Sequence, residues 1–297
     1  MKSPMNNPIN SSDTRQRFLF DHSDVRGEIT SLQSSFQQIT SHQNYPPAVT
    51  ALFGEFLAAA SLLSATLKFP GIVSIQAVGR GPVKTIMAEC YQKTKLRGIV
   101  RGELDALTGP ETLSTMLGSA TLAITIEPEG GERYQGIVPM EQDSLSGCLE
   151  HYFAQSEQLP TKIKLAADTE NAAGVLIQQI PGSEDKELAQ SQWQHLGTLF
   201  DSLKTEEQLT LSHGDQLYRL FHGEDLRLLD KQPLQFLCSC SKSRTATALV
   251  SLGRSEVESL CEQRGSIQIT CEFCGQRYEF EQPELDTLFD GGQLPTH

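Results

Sequence analysis

Between residues 14 and 181 the apolar positions fall into short, often alternating runs, punctuated at Gly71, at Gly79 to Pro82, at Gly130 to Gly131 and at Pro181 to Gly182. Runs of this kind predict β-strands. They lie at 71–79 (GIVSIQAVG), 82–91 (PVKTIMAECY), 96–102 (LRGIVRG), 120–128 (ATLAITIEP), 133–139 (RYQGIVP), 162–168 (KIKLAAD) and 173–181 (AGVLIQQIP). Helical spacing replaces alternation at 31–42, at Ala48–Lys68 and at 144–157. Strands in runs, with helices before and between them, imply an α+β fold rather than a regular alternating wind.

From Ser183 the pattern thins. Trp193, Leu196, Phe200 and Leu203 recur at helical intervals, as do Leu217, Leu220 and Phe221, within an otherwise polar stretch. Residues 184–230 hold ten acidic and four basic side chains, a net of -6 (4 minus 10). Such thin amphipathic helices cannot form a core of their own and must lie on another surface, that of the α/β part. Beyond residue 236 two helix-like stretches, 243–253 and 255–265, precede a hairpin-like one, 266–280. The predicted organisation is an α/β core over 1–182, a charged helical linker over 183–235 and a small C-terminal domain over 236–297.

Composition narrows the function. The 297 residues carry a formal charge of -13, so the average surface repels nucleic acid and anionic lipid. The most apolar stretch, Phe56–Leu67, is bracketed by Glu55 and Lys68 and is shorter than the ~20 residues of a membrane span. It predicts a buried core helix. The polar N-terminus has no apolar run of the signal-peptide kind, which points to the cytoplasm. The dinucleotide fingerprint, the phosphate-binding loop, the nucleophile elbow and the zinc-protease histidine pair are all absent, so the expectation is a protein that is not an enzyme.

Chemistry concentrates in cysteine. Of seven, Cys90, Cys148 and Cys261 sit among apolar neighbours and read as core. Cys238, Cys240, Cys271 and Cys274 form two local pairs, Cys-x-Cys and Cys-x-x-Cys. Clustered thiols in a reducing compartment are metal ligands or redox groups, and four soft sulfurs suit tetrahedral Zn2+, one ion per chain. A domain of ~60 residues rarely holds itself together and gains its stability from such a metal. Each pair is also close enough in sequence to close as a disulfide once the metal has left, so the spacing leaves two readings, a purely structural zinc, which it favours, and a clamp that oxidation opens.

The same residues resemble the redox-regulated bacterial heat-shock chaperone family of about 33 kDa. The stretches VRGE (25–28), SLLSATLKFPG (61–71), GERYQGIV (131–138), SEQLPT (156–161) and AAGVLIQQIP (172–181) carry the likeness too, which runs from about Asp21 to Leu288. The resemblance implies a cytoplasmic, ATP-independent holdase, inactive while reduced and zinc-bound. On oxidation such a protein loses zinc and forms two disulfides, here Cys238 with Cys240 and Cys271 with Cys274, and it binds unfolding proteins. It also implies a homodimer when oxidised and hand-over of clients to ATP-dependent chaperones. Trp193, Leu196, Leu199, Phe200 and Leu203 are the candidates for linker docking or client binding. Two alternatives stand beside it: a thiol–disulfide oxidoreductase, and a zinc-ribbon nucleic-acid binder, for which Lys242, Arg244, Arg254 and Arg264 are few against the overall acidity.

Overall fold

The structure, a computed structural model, describes residues 13–182 and 185–290. The polar N-terminal stretch and Ser183, where the linker was placed, lie outside the described residues. The chain divides after Leu237 into two compact units.

The first unit runs β1 (Thr14–Phe20), β2 (Val25–Leu32), α1 (Ser34–Thr40), α2 (Pro47–Thr66), β3 (Gly71–Gly79), β4 (Val83–Tyr91), β5 (Lys95–Gly102) and α3 (Leu113–Leu117). It continues through β6 (Ala120–Pro128), β7 (Tyr134–Pro139), α4 (Leu145–Tyr152), β8 (Thr161–Ala167) and β9 (Ala172–Gln179). Then come α5 (Lys186–Asp201), α6 (Thr205–Thr210), α7 (His213–Phe221), β10 (Leu226–Leu228), β11 (Gln232–Pro233) and β12 (Gln235–Phe236). The mixed α/β character expected from the pattern is what folds.

Two sheets form. One has the order β10-β1-β2-β9-β8, with β11 also on β1; the other has the order β12-β5-β4-β3-β6-β7. All pairings are antiparallel except β12 on β5. Helix α2 is packed against strands of both sheets, which explains why it is apolar around its whole circumference. Pro47 at its first turn costs no hydrogen bond, and Pro70 follows its end. At 20 residues it agrees within two residues with the helix read over Ala48–Lys68 and is long and apolar enough to cross a membrane, but its apolar window is 83% buried. It is the core helix, as expected.

Strands β1 and β2 escaped the sequence reading, and the helix expected at 31–42 begins only at Ser34. The cause is that β1 buries charge. Its Arg15 and Arg17 point to the end of α2, where Arg15 donates to the Ser61 carbonyl (2.8 Å) and Arg17 to that of Ala65 (2.6 Å). Its Phe18 and Phe20 point the other way. Asp13, only 2% exposed, accepts from the amides of Gln33, Ser34 and Ser35, capping α1 from a distance in sequence. Opposite Phe18, position 27 must be glycine: a β-carbon there would overlap the Phe18 ring.

The outward face of the first sheet is covered by the thin, acidic segment. Phe18, Phe20, Val25, Ile29, Val175 and Ile177 meet Leu196, Phe200, Leu203, Leu217, Leu220 and Phe221 in a second core. Phe20 and Phe221 pack edge to face at 4.9 Å. Polar ties hold the ends of this cover. Lys164 of β8 donates to the carbonyls of Asp201 (2.6 Å), the last residue of α5, and Leu203 (2.8 Å), just past it, a cation favourably placed at a helix C-terminus. At the start of α7, His213 bonds through Nδ1 to Gln16 Oε1 and through Nε2 to Ser31 Oγ, each at 2.9 Å.

The second unit contains α8 (Lys242–Leu252), α9 (Arg254–Arg264), the hairpin β13 (Ser266–Thr270) to β14 (Arg277–Glu281), and α10 (Gln282–Phe289). Its buried apolar core is small: Ala246, Leu249, Val257, Cys261, Phe280 and Leu285.

Burial lowers the pKa of His213 to about 4, with nearby Lys231 adding to the effect. The docked form therefore excludes a proton that the undocked form binds below pH 6.5. Stability contributed by this site is whole above pH 6.5 and falls as the pH drops to 4, by at most about 3 kcal/mol. Denaturant midpoints read from Trp193, the single tryptophan, will show a shallower pH slope in that window for His213→Gln than for the wild type. Equal slopes would remove His213 from the account.

Candidate functional site

The four cysteines come together. Cys238 and Cys240 belong to the strand-like lead-in to α8, and Cys271 and Cys274 to the turn between β13 and β14. Local chemistry fixes each arm. Arg244, one turn into α8, reaches back to both the carbonyl and the hydroxyl of Ser239, each at 2.8 Å, and Ser241 Oγ caps the helix by accepting from the Arg244 amide. In the turn, Gly275 donates to the Cys271 carbonyl and Cys271 to that of Gln276, both at 2.8 Å. Gly275 has φ +68°, a left-handed conformation that glycine adopts without strain.

The four Sγ atoms all lie within 4.8 Å of one another and are half-buried. The pairs across the two arms, Cys238 with Cys271 and Cys240 with Cys274, stand at 3.7 and 3.3 Å. These separations are too long for a disulfide, at ~2.05 Å. They fit a tetrahedron, since sulfurs ~2.3 Å from a common centre are about 3.8 Å apart. Donor type and geometry together make a site that could hold a metal ion.

The surroundings tune the sulfurs unequally. Burial pushes the Cys238 thiol up to about 11, and it raises Cys274 as well. Cys240 goes the other way: burial opposes ionisation there, but the Tyr278 hydroxyl and the neighbouring thiols, all hydrogen-bonded to it, outweigh burial and lower its pKa. The Tyr278 O–H lies 3.1 Å from Cys240 Sγ. Tyr278 and Arg244 are the residues that a cysteine-spacing argument misses, because neither type is unusual at its position and only the folded hairpin and helix bring them in.

Cys90, Cys148 and Cys261 are buried and free, away from solvent as expected for core thiols. Cys271 and Cys274 occupy a β-turn, not the helix N-terminus that a thioredoxin-like oxidoreductase uses.

The candidates in the covering segment sit together in the second core. Leu196, Phe200 and Leu203 are buried there, and Trp193 and Leu199 are partly buried against it. Leu203 lies two residues past the end of α5, so it does not continue the helical face of Leu199 as the spacing suggested. A break in the helix brings it back onto the sheet.

With this arrangement in view, comparison with known proteins is decisive. The family model described as "Hsp33 protein" matches residues 13–281. The chain belongs to the Hsp33 family. It is 46% identical over 283 residues to the 33 kDa chaperonin of Ectopseudomonas mendocina (strain ymp), spanning 94% of this chain and 96% of that one. It is 45% identical over 286 residues to the 33 kDa chaperonin of Pseudomonas aeruginosa strain PAO1, spanning 95% and 96%. The crystal structure of the 33 kDa chaperonin (HSP33) from Thermotoga maritima superposes with a TM-score of 0.81, covering 94% of this chain and 98% of that one at 20% identity, and so shares the fold. Membership in the Hsp33 family, and relatives named as chaperonins rather than enzymes, support a chaperone function.

Replacing one sulfur removes a quarter of the donor set. With zinc as the probe ion in equilibrium dialysis, Cys271→Ser is expected to fall well below one ion per chain, whereas Tyr278→Phe, which removes only the hydrogen bond to Cys240, is expected to take up one with affinity roughly tenfold lower than the wild type. Unaltered zinc binding by Cys271→Ser would refute the four-sulfur site.

Proposed function

We propose that this protein is a redox-regulated, ATP-independent holdase of the cytoplasm, inactive when its four cysteines hold Zn2+ and active when they are oxidised. The observation that carries this reading is the cover itself: the most apolar part of the acidic segment is buried on an apolar sheet face, and three short strands carry the chain from that cover to the first cysteine. Strand β12 lies on β5, the Leu237 amide donates to the Leu96 carbonyl (3.0 Å), and Cys238 comes next.

Bound zinc keeps four sulfurs as thiolates and ties the two arms of a unit whose apolar core is small. The chain's own residues do the rest. The thiolate pairs Cys238 with Cys240 and Cys271 with Cys274 each give up two electrons to one hydrogen peroxide molecule, which takes two protons from solvent. One S–S bond forms per pair, the O–O bond breaks, and two waters leave. The ligands are then gone, and the small unit loosens. The strand just before Cys238 no longer has a fixed continuation, so local unfolding spreads back along the cover.

Release of the cover exposes two apolar surfaces, the stripe of Trp193, Leu196, Leu199, Phe200 and Leu203 and the sheet face beneath it. Both suit unfolded client proteins. The surplus negative charge of the segment keeps the open form extended and soluble. Dimerisation in the oxidised state and hand-over of clients to ATP-dependent chaperones complete the reading. The Cys261 thiol, buried and hydrogen-bonded to the Gly265 carbonyl, stays outside the two disulfides.

Weakening the cover will mimic oxidation. Leu196 and Phe200, one helical turn apart and each at most 2% exposed, are worth about 2–5 kcal/mol apiece on truncation. Leu196→Ser with Phe200→Ser will suppress client aggregation under reducing conditions with zinc still bound, about the 5.5 kcal/mol needed to invert a 99:1 equilibrium being within reach. A double variant that is cleaved within the segment yet stays inactive would sink the cover as the inhibitory element.

A further inference from the structure

At the C-terminal end of α2, three side chains of the core converge on carbonyls of the last turns: Arg15 on Ser61, Arg17 on Ala65 and Lys93 on Leu67 (2.8 Å). They line a cavity of about 530 Å3 whose other wall is Arg227 to Asp230 and Gln232, part of the covering segment. Four cations face this space, Arg15, Arg17, Lys93 and Arg227, against two carboxylates, Glu28 and Asp230. Glu28 is taken by Arg17. Arg227 is paired with Asp21 at 2.9 Å, so the lining and that partner together leave a net +1 (4 minus 3) in a chain whose total is -13.

Two features make this more than a basic patch on a solvated face. Arg15 is 3% exposed, and it donates to two neutral groups, the Ser61 carbonyl and the Ser64 hydroxyl, both at 2.8 Å. The partial negative charge of a helix end offsets part of the cost of burying a guanidinium, and an anion would offset more. Lys93 is held at the rim by unusual backbone. Gln92 and Lys93 both have positive φ, +47° and +65°, in the two central positions of the β4–β5 turn, where asparagine and glycine are the ordinary choice.

We propose that this cavity binds a compact polyanion of the phosphate type, inorganic pyrophosphate or the phosphoryl groups of a larger molecule, between the core cations and Arg227 of the covering segment. Planar guanidinium forks and a lysine ammonium are the groups that recognise phosphoryl oxygens. Because both walls contribute, a bound anion joins the segment to the core and favours the covered state in proportion to its occupancy. Binding is independent of the redox reading; its effect on activity rests on the cover being inhibitory.

The test is calorimetric titration of inorganic pyrophosphate into the reduced, zinc-bound full chain at low salt. One site per chain is expected, with affinity falling as salt rises. Lys93→Met and Arg227→Met will each weaken it at least tenfold, and Lys84→Met, an exposed lysine of β4 outside the cavity, less than twofold. Arg227 is the safer variant because its ion pair is with Asp21 and it does not cap α2. No saturable binding by the wild type, or equal affinity in all four proteins, would overturn the site. Pyrophosphate will also slow proteolysis within residues 186–236 of the wild type. Saturable binding that leaves cleavage unchanged would overturn the bridging role.

Discussion

One apolar sheet face has to be covered by a segment poorly equipped to cover it. Phe18, Phe20, Val25, Ile29, Val175 and Ile177 cannot face water without a large loss, since each such side chain is worth ~1.5–3 kcal/mol on burial. The inner face of the same sheet has α2, which is apolar all round and continuous with the main core. The outer face has only short helices that carry a net -6 and present one narrow stripe each. Docking energy comes from a few large side chains at the middle and from polar ties at the ends, Lys164 on the carbonyls at the end of α5 and His213 on β1 and β2. A cover built this way rests on few interactions.

The same economy appears in the second unit. Among the described residues of this unit six buried apolar side chains make a slight core, and the ion pairs of Lys242 with Glu284 and of Arg254 with Glu258 and Asp290 are partly exposed and contribute little. Two sulfur arms within tetrahedral reach supply what the core lacks. In the proposed account, free energy held at the sulfurs bears on docking through the backbone of β10, β11 and β12, which lies between the covering helices and Cys238. A phosphate-type anion held between Arg15, Lys93 and Arg227 would add a second, redox-independent hold on the same segment.

Much of this was legible in the chain. Period-two alternation located β3 to β9 to within a residue or two, and the Gly and Pro breaks bounded them. The Cys-x-Cys and Cys-x-x-Cys pairs identified the cluster because sulfur spacing is set locally, and the thin stripe of 183–235 required another surface to rest on. What escaped had long-range causes. Strand β1 buries Arg15, which reads as a surface residue until the end of α2 is placed beside it. Asp13 caps α1 across 20 residues, and Tyr278 meets Cys240 only once the hairpin closes. Leu203 falls on the helical period of Leu199 but reaches the sheet because the helix stops at Asp201.

The central claim is that losing the four-sulfur site loosens two parts of the chain and spares a third. Site-resolved amide hydrogen exchange before and after peroxide treatment tests it most directly. The account predicts that protection collapses in residues 186–236 and 238–290 together with zinc release, while α2 and strands β3 to β6 keep theirs. Full protection of residues 186–236 in protein that has lost its zinc and prevents client aggregation would contradict it.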